Sequence, residues 1–355
     1  MTLDLTSLGW DDAYATAYHI FDHPDYRPGR VSRADRGACT VLTAAGPVRA
    51  SLAGTALAAA GRDPTHLPCA GDWVAVRDWP DGRLTIEAVL PRRTAVARRT
   101  ADKDATEQVL AANLDAAAVV EPMDPAPEPG RVERLLALAW ESGAQPLVLL
   151  TKADLVADPA AVAAQVADVA PGVAVHAVSA ATGGGLEPLR PLVAPGRTLG
   201  LLGPSGAGKS TLVNALAGAE VMGVQQTRRV DGKGRHTTTY RALVPLPGGG
   251  AVLDTPGIRA VGLLDAAEGL DQAFADVAAL SARCRFADCG HEGEPGCQVR
   301  AALESGDLAP RRYASWQKLQ REIAYELRRR DARLAAQERA KWRRITREQR
   351  VRGHR

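Results

Sequence analysis

The sequence predicts a multidomain chain: a small β-barrel, then an α/β domain on a parallel sheet, then a mainly α region organised around a metal-binding cluster. Three observations carry this. Short β-rich runs separated by turn residues fill Gly29 to Leu90. An apolar run, Thr198 to Leu202, leads through a glycine-rich loop into a helical pattern that starts at Lys209. Downstream, Cys284, Cys289, His291 and Cys297 crowd into one short segment ahead of a long helical stretch. A chain of 355 residues with 46% hydrophobic content has enough apolar side chain for two or three separate cores.

In the first region, Trp73 to Trp79 and Arg83 to Ile86 flank Pro80-Asp81-Gly82, the pattern of a hairpin turning at Asp-Gly. Alternation places Val74 and Val76 on one face and Trp73, Arg77 and Trp79 on the other. If that second face is open, its rings and cation form a stacking surface for unpaired bases. If it is covered, the tryptophans are core. Alternation alone does not separate the two. The stretch from Pro91 to Gln108 carries Arg92, Arg93, Arg98, Arg99 and Lys103 and reads as a solvated connector, while Cys39 and Cys69 read as small core residues.

The central region holds the chemistry. Gly203-Pro204-Ser205-Gly206-Ala207-Gly208-Lys209-Ser210 fits the phosphate-loop pattern G-x-x-x-x-G-K-[ST] between a strand and a helix that begins with Lys209, Ser210 and Thr211. Its glycines let backbone N–H groups turn in on phosphates, and the helix N-terminus favours negative charge. Lys209 is expected on the β and γ phosphates and Ser210 on Mg²⁺. Thr151-Lys152-Ala153-Asp154 follows the strand Leu147 to Leu150 and resembles the guanine-reading tetrapeptide of GTPases, with Thr151 where Asn is usual. A carboxylate at Asp154 accepts from guanine N1 and N2, donors that adenine lacks. The strand Val173 to Val178 delivers Ser179 and Ala180 to the same rim, and Asp254 ends the strand Ala251 to Leu253 where it can hold Mg²⁺ through water, with the Gly257 N–H facing the γ-phosphate. The base-reading motif precedes the phosphate loop, so the order of an ordinary GTPase is circularly permuted.

Ile258 stands where many GTPases place a water-orienting Gln. The stretch from Gln225 to Tyr240, rich in Gly, Arg and Thr, is therefore expected to complete the site: Arg235 for charge, His236 for water positioning and Thr238 for Mg²⁺, with Thr237 and Thr239 equivalent candidates. The bland reading of the same stretch is a solvated loop carrying a lone histidine.

Three thiolates and an imidazole spaced C-x4-C-x-H-x5-C suit a closed tetrahedral Zn²⁺ site of structural type. Beyond it, Trp316, Leu319, Ile323 and Leu327 recur at helical spacing and are expected to pack on the metal region. The formal charge of +3 is uneven: from Arg311 to Arg355 sixteen basic residues face five acidic ones, a net of +11 against −8 for the rest. That tail is expected to neutralise nucleic-acid phosphates, with a soluble helix or a coiled-coil arm as the alternatives. Asp4, Asp11 and Asp12 and the lack of an apolar segment make the N-terminus unlike a signal peptide. No run reaches membrane-spanning length. Cysteines spaced for metal fit a reducing cytoplasm, so a cytoplasmic protein with no membrane partner is expected.

Taken together, the permuted motifs, Gly234-Arg235-His236-Thr237-Thr238-Thr239, and Cys284-Arg285-Phe286-Ala287-Asp288-Cys289-Gly290-His291 running on to Glu294-Pro295-Gly296-Cys297 resemble the RsgA family of small-ribosomal-subunit-dependent GTPases. The resemblance spans roughly residues 30 to 330. It implies an N-terminal extension (1–28), an OB-type barrel (29–95), a linker (96–110), a permuted GTPase domain (111–270), a zinc-binding domain (271–330) and a basic tail (331–355). It also implies GTP hydrolysis to GDP and phosphate in late maturation of the 30S subunit, stimulated by that particle, by a monomer that contacts 16S rRNA. The implied cofactors are one structural Zn²⁺ per chain and Mg²⁺ with GTP. Two other classes share parts of the pattern: a GTP-regulated RNA-binding switch with negligible stimulated turnover, and a phosphate-loop ATPase or kinase. Asp154 argues against the second.

Overall fold

The structure is a computed structural model that describes residues 3–99, 107–223, 241–255 and 267–330. A short helix, α1 (Asp12–Tyr18), opens the chain, capped by Asp11, whose carboxylate accepts from the Ala13 and Tyr14 N–H groups. Five strands follow: β1 (Tyr26–Asp35), β2 (Ala38–Thr43), β3 (Gly46–Leu52), β4 (Trp73–Asp78) and β5 (Leu84–Val89), with α2 (Gly54–Arg62) between β3 and β4. They close into a barrel in the order β1-β2-β3-β5-β4, and the β3–β5 pairing is parallel. Val31, Val41, Val74, Val76 and Ile86 fill its interior together with Cys39, each fully buried. Closure demands a glycine at position 29, where a Cβ would lie 2.4 Å from a Val41 methyl.

The expected hairpin is β4–β5, and Val74 and Val76 do share the inner face. The opposite face is not an open stacking platform. Trp73 is 1% exposed, with Trp10 edge-on at 4.9 Å between ring centroids and Tyr14 at 5.7 Å. The N-terminal segment supplies those rings and so covers the strand. Trp79 is half-buried, with the Arg77 guanidinium 3.9 Å above its ring and its indole N–H donating to Thr85.

The stretch expected to be a linker is structured where it is described. Strands β6 (Ala95–Arg99) and β7 (Glu107–Ala112) pair antiparallel, because Val96, Leu110 and Ala111 have an apolar core to enter. Arg92 is equally fixed, making paired bonds of 2.7 and 2.8 Å to the fully buried carboxylate of Asp72.

The central sheet has six strands: β8 (Ala116–Pro122), β9 (Gln145–Thr151), β10 (Ala174–Ala177), β11 (Thr198–Leu202), β12 (Ala242–Pro245) and β13 (Ala251–Thr255), ordered β10-β9-β8-β11-β13-β12. All neighbours are parallel except β12 with β13. Buried on both faces, β8, β9 and β11 read as unbroken apolar runs in place of alternation. Helices α3 (Pro129–Glu141), α4 (Pro159–Ala167) and α5 (Lys209–Ala217) complete this layer.

The last region is helical: α6 (Ala267–Ala273), α7 (Ala275–Ser281), α8 (Gln298–Ser305) and α9 (Pro310–Arg330). Trp316, Leu319 and Ile323 are buried at the spacing the sequence announced, with Leu327 packed beside them. The helix also packs on α3, which the sequence did not indicate. Glu133, fully buried, accepts from Arg311, Arg312 and Ser315, and Arg134 meets Glu322 through paired bonds of 2.5 and 2.6 Å. At the barrel side, buried Arg30 donates to Gly71 O, Asn113 O and the Thr198 hydroxyl, tying β1 to the entrances of β8 and β11.

Candidate functional site

The carboxyl ends of parallel strands form the crevice in which ligands of open α/β sheets sit, and the described nucleotide-binding motifs of the sequence converge there. From β11 the chain enters the phosphate loop at Gly203, which cannot bear a side chain because a Cβ would meet Val120 O at 2.2 Å. Gly206 and Gly208 both take φ +82, the left-handed conformation that aims successive N–H groups inward, and α5 starts immediately after. Pro204, Ser205 and Gly206 form the outer lip, Ala207 is buried, and Ser210 and Thr211 are half-buried on the first turn of α5. Lys209 is 6% exposed and folds back, its ammonium donating to Gly203 O and Pro204 O, both at 2.9 Å.

Strand β9 ends at Thr151, whose hydroxyl donates to Ala207 O at 2.6 Å. The residue standing in place of the usual Asn thus joins the base-reading motif to the phosphate loop directly. Lys152 adopts φ +59 and donates through its ammonium to Asp124 O. Asp154 is exposed, and one of its oxygens accepts from the buried Ser179 hydroxyl at 2.5 Å, which fixes the carboxylate's direction. Ala180 follows at the same rim, on a loop whose Gly185 must lack a Cβ because Ala177 O lies 2.1 Å from where one would be.

Register puts Asp254 of β13 opposite Leu201 of β11, at the floor of the crevice. It is 3% exposed, its Oδ1 has no hydrogen-bond partner among the described residues, and burial raises its carboxyl above the usual range, with the nearby Lys209 charge acting the other way. A buried carboxylate oxygen without a partner beside a phosphate loop fits a hydrated divalent cation. His236, Thr238, Gly257 and Ile258 lie outside the described residues, as do Arg235, Thr237 and Thr239.

One pair at this end was not anticipated. Glu121, fully buried at the end of β8, receives two bonds of 2.6 Å from Arg131 in the first turn of α3. The signal available was a lone carboxylate directly after the apolar run Ala116 to Val120, which a buried strand tolerates only when paired.

The second cluster is compact. Ligand atoms of Cys284, Cys289, His291 and Cys297 all lie within 4.8 Å of one another. His291, held at φ +59, has Nδ1 3.7 Å from the Cys284 sulfur and 3.4 Å from the Cys297 sulfur. A tetrahedral metal with ordinary sulfur and nitrogen bond lengths gives edges of about 3.5 Å, so the donors fit a metal of that kind. His291 Nε2 lies 3.2 Å from the Ser281 hydroxyl, which orients the ring, and backbone N–H groups of Gln298 and Arg300 point at the sulfurs of Cys284 and Cys297.

Comparison with known proteins places both clusters in one context. The family model of the RsgA GTPase matches residues 89–264. The small ribosomal subunit biogenesis GTPase RsgA of Streptomyces coelicolor is 52% identical over 343 residues, 96% of this chain and 92% of that protein. The crystal structure of YjeQ from Thermotoga maritima aligns with TM-score 0.61 and 26% identity over 84% of this chain and 98% of its own. YloQ, described as a circularly permuted GTPase, shares the fold with TM-score 0.58 at 22% identity, over 86% of this chain and 97% of its own. A barrel, a permuted phosphate-loop sheet and a metal-cluster helical region, in a chain of this similarity, place the protein in the RsgA GTPase family.

Proposed function

We propose that this protein hydrolyses GTP in the late assembly of the small ribosomal subunit and that the bacterial 30S particle stimulates its turnover. The observation that carries the reading is the 52% identity, over 96% of the chain, to a small ribosomal subunit biogenesis GTPase, joined to a crevice where Thr151 bonds to the phosphate loop and Ser179 fixes Asp154. On this reading Gly203 to Thr211 bind the phosphates, and Thr151, Lys152, Asp154, Ser179 and Ala180 form the base pocket. Lys209 leaves its carbonyl partners for the β and γ phosphates. Ser210, Thr238 and, through water, Asp254 hold Mg²⁺, which supplies charge neutralisation to the phosphates when bound. Gly257 donates to the γ-phosphate, and His236 orients the attacking water when the particle is bound.

The three cysteines and His291 bind one structural Zn²⁺, on the strength of a donor set that leaves no position open to substrate. The barrel (29–95), GTPase unit (111–270) and zinc unit (271–330) form the body, and the basic tail (331–355) contacts 16S rRNA. The protein acts as a cytoplasmic monomer; among the described residues no helix is long and apolar enough to cross a membrane. Co-sedimentation with purified 30S subunits tests the partner. Association is expected with a non-hydrolysable GTP analogue, weaker with GDP, and retained by His236→Ala, whereas equal absence of binding in both nucleotide states refutes the assignment.

A further inference from the structure

A groove of about 530 Å³ runs between the metal loop and α9, and none of its lining residues belongs to the phosphate loop or the base-reading motif. Its floor is aromatic: the rings of Tyr313 and Trp316 stack at 5.6 Å with 24° between planes. Phe286, 42% exposed, forms a wall. Two carboxylates face the same space, Asp271 from α6 and Glu292 from the metal loop, and among the described residues neither side chain has a hydrogen bond or ion pair. Gln317 spends its amide N–H on the Tyr313 hydroxyl at 3.0 Å, which leaves its carbonyl oxygen as a further acceptor. Among the described lining residues the one guanidinium is Arg321, whose Nε donates along the helix to Gln317 O, and the Arg285 guanidinium lies outside the lining, 5.5 Å from the Phe286 ring.

The lining therefore offers aromatic faces and hydrogen-bond acceptors, with an excess of negative charge. A phosphate is repelled by such a wall. A guanidinium matches it: five N–H donors, no acceptor, a planar face that stacks on aromatic rings and a geometry that meets carboxylates two bonds at a time. We propose that this groove binds an arginine side chain presented by a basic protein segment, with the guanidinium against Tyr313 and Phe286 and its N–H groups on Asp271 and Glu292. Charge complementarity selects this occupant over a nucleic-acid strand.

The test uses the full zinc-loaded chain and a fluorescein-labelled twelve-residue peptide bearing three arginines, with a twin in which citrulline replaces each arginine. Anisotropy titration is expected to show the arginine peptide binding at least about tenfold more tightly than its neutral twin, because the charged bonds are lost with the guanidinium. Asp271→Asn, remote in sequence from the metal ligands, should weaken the arginine peptide by about the same factor with zinc content unchanged. The charge-matched control Glu304→Gln should leave it unaltered. Equal binding of the two peptides, or an Asp271 variant indistinguishable from wild type, overturns the proposal. So does displacement of the peptide by an oligouridylate in a manner abolished by Tyr313→Ala, which assigns the groove to RNA.

Discussion

Replacing Thr151 by Val removes one hydroxyl and little volume, and the structure says where the loss is felt. That hydroxyl donates to Ala207 O at 2.6 Å, and both residues are buried, at 2% and 1% exposure. Valine leaves the carbonyl of the phosphate loop without a partner and out of reach of water, a cost of about 1–3 kcal/mol. Part of it falls on the folded state. The remainder falls on nucleotide binding, since the loop then orders itself at the ligand's expense, and 1.4 kcal/mol corresponds to roughly tenfold in affinity. The expected outcome is a GDP affinity and a GTP affinity both reduced by about five- to thirtyfold, in parallel, because Ala207 supports the loop regardless of the γ-phosphate. Thr151→Ser, which keeps the hydroxyl, should recover most of it. Titration with fluorescent guanine nucleotides, paired with thermal unfolding, measures both parts. A Val variant with affinities within about twofold of wild type and unchanged melting refutes the idea that Thr151 braces the phosphate loop.

Three further outcomes follow from the same geometry. Asp154→Asn should weaken GTP by about a hundredfold or more, since two charge-assisted bonds to the base are lost, while xanthosine triphosphate improves; competition between the two nucleotides reads this directly. Glu133→Gln should cost about 3–5 kcal/mol in urea unfolding, nearer the low end because buried Arg312 keeps Asp276 as a partner at 2.9 Å; a loss below about 1 kcal/mol means that the α3–α9 ion network contributes little. Cys289→Ser, or metal removal by chelation, should unfold the helical region while GTP affinity stays within about twofold, and metal analysis of the native chain should find one zinc per protein.

The site was legible in the sequence where its chemistry is local. The glycines that must turn at 206 and 208, the strand that ends in Thr151 and the crowding of Cys284, Cys289, His291 and Cys297 are each fixed within a few residues, so spacing alone exposes them. Contacts made across the fold left no such mark. Arg30 reaches Thr198 over 168 positions and Arg312 reaches Glu133 over 179, and nothing in either local pattern names the partner. Trp73 illustrates the limit of alternation: the pattern gives its face, but whether that face is open depends on Trp10 and Tyr14 arriving from outside the barrel. The arginines between 92 and 99 suggested a solvated connector, whereas Val96 and Leu110 bury and Arg92 clamps Asp72, so charge density masked a short paired strand. Glu121 and Arg131 were equally hidden, because a carboxylate at the end of an apolar strand looks like a strand terminus until its partner is found.

Phosphate release from GTP by the full chain, with and without purified 30S subunits, tests the account most directly. The account predicts slow turnover alone and a large increase with 30S but not with 50S subunits. A rate that 30S leaves unchanged contradicts it.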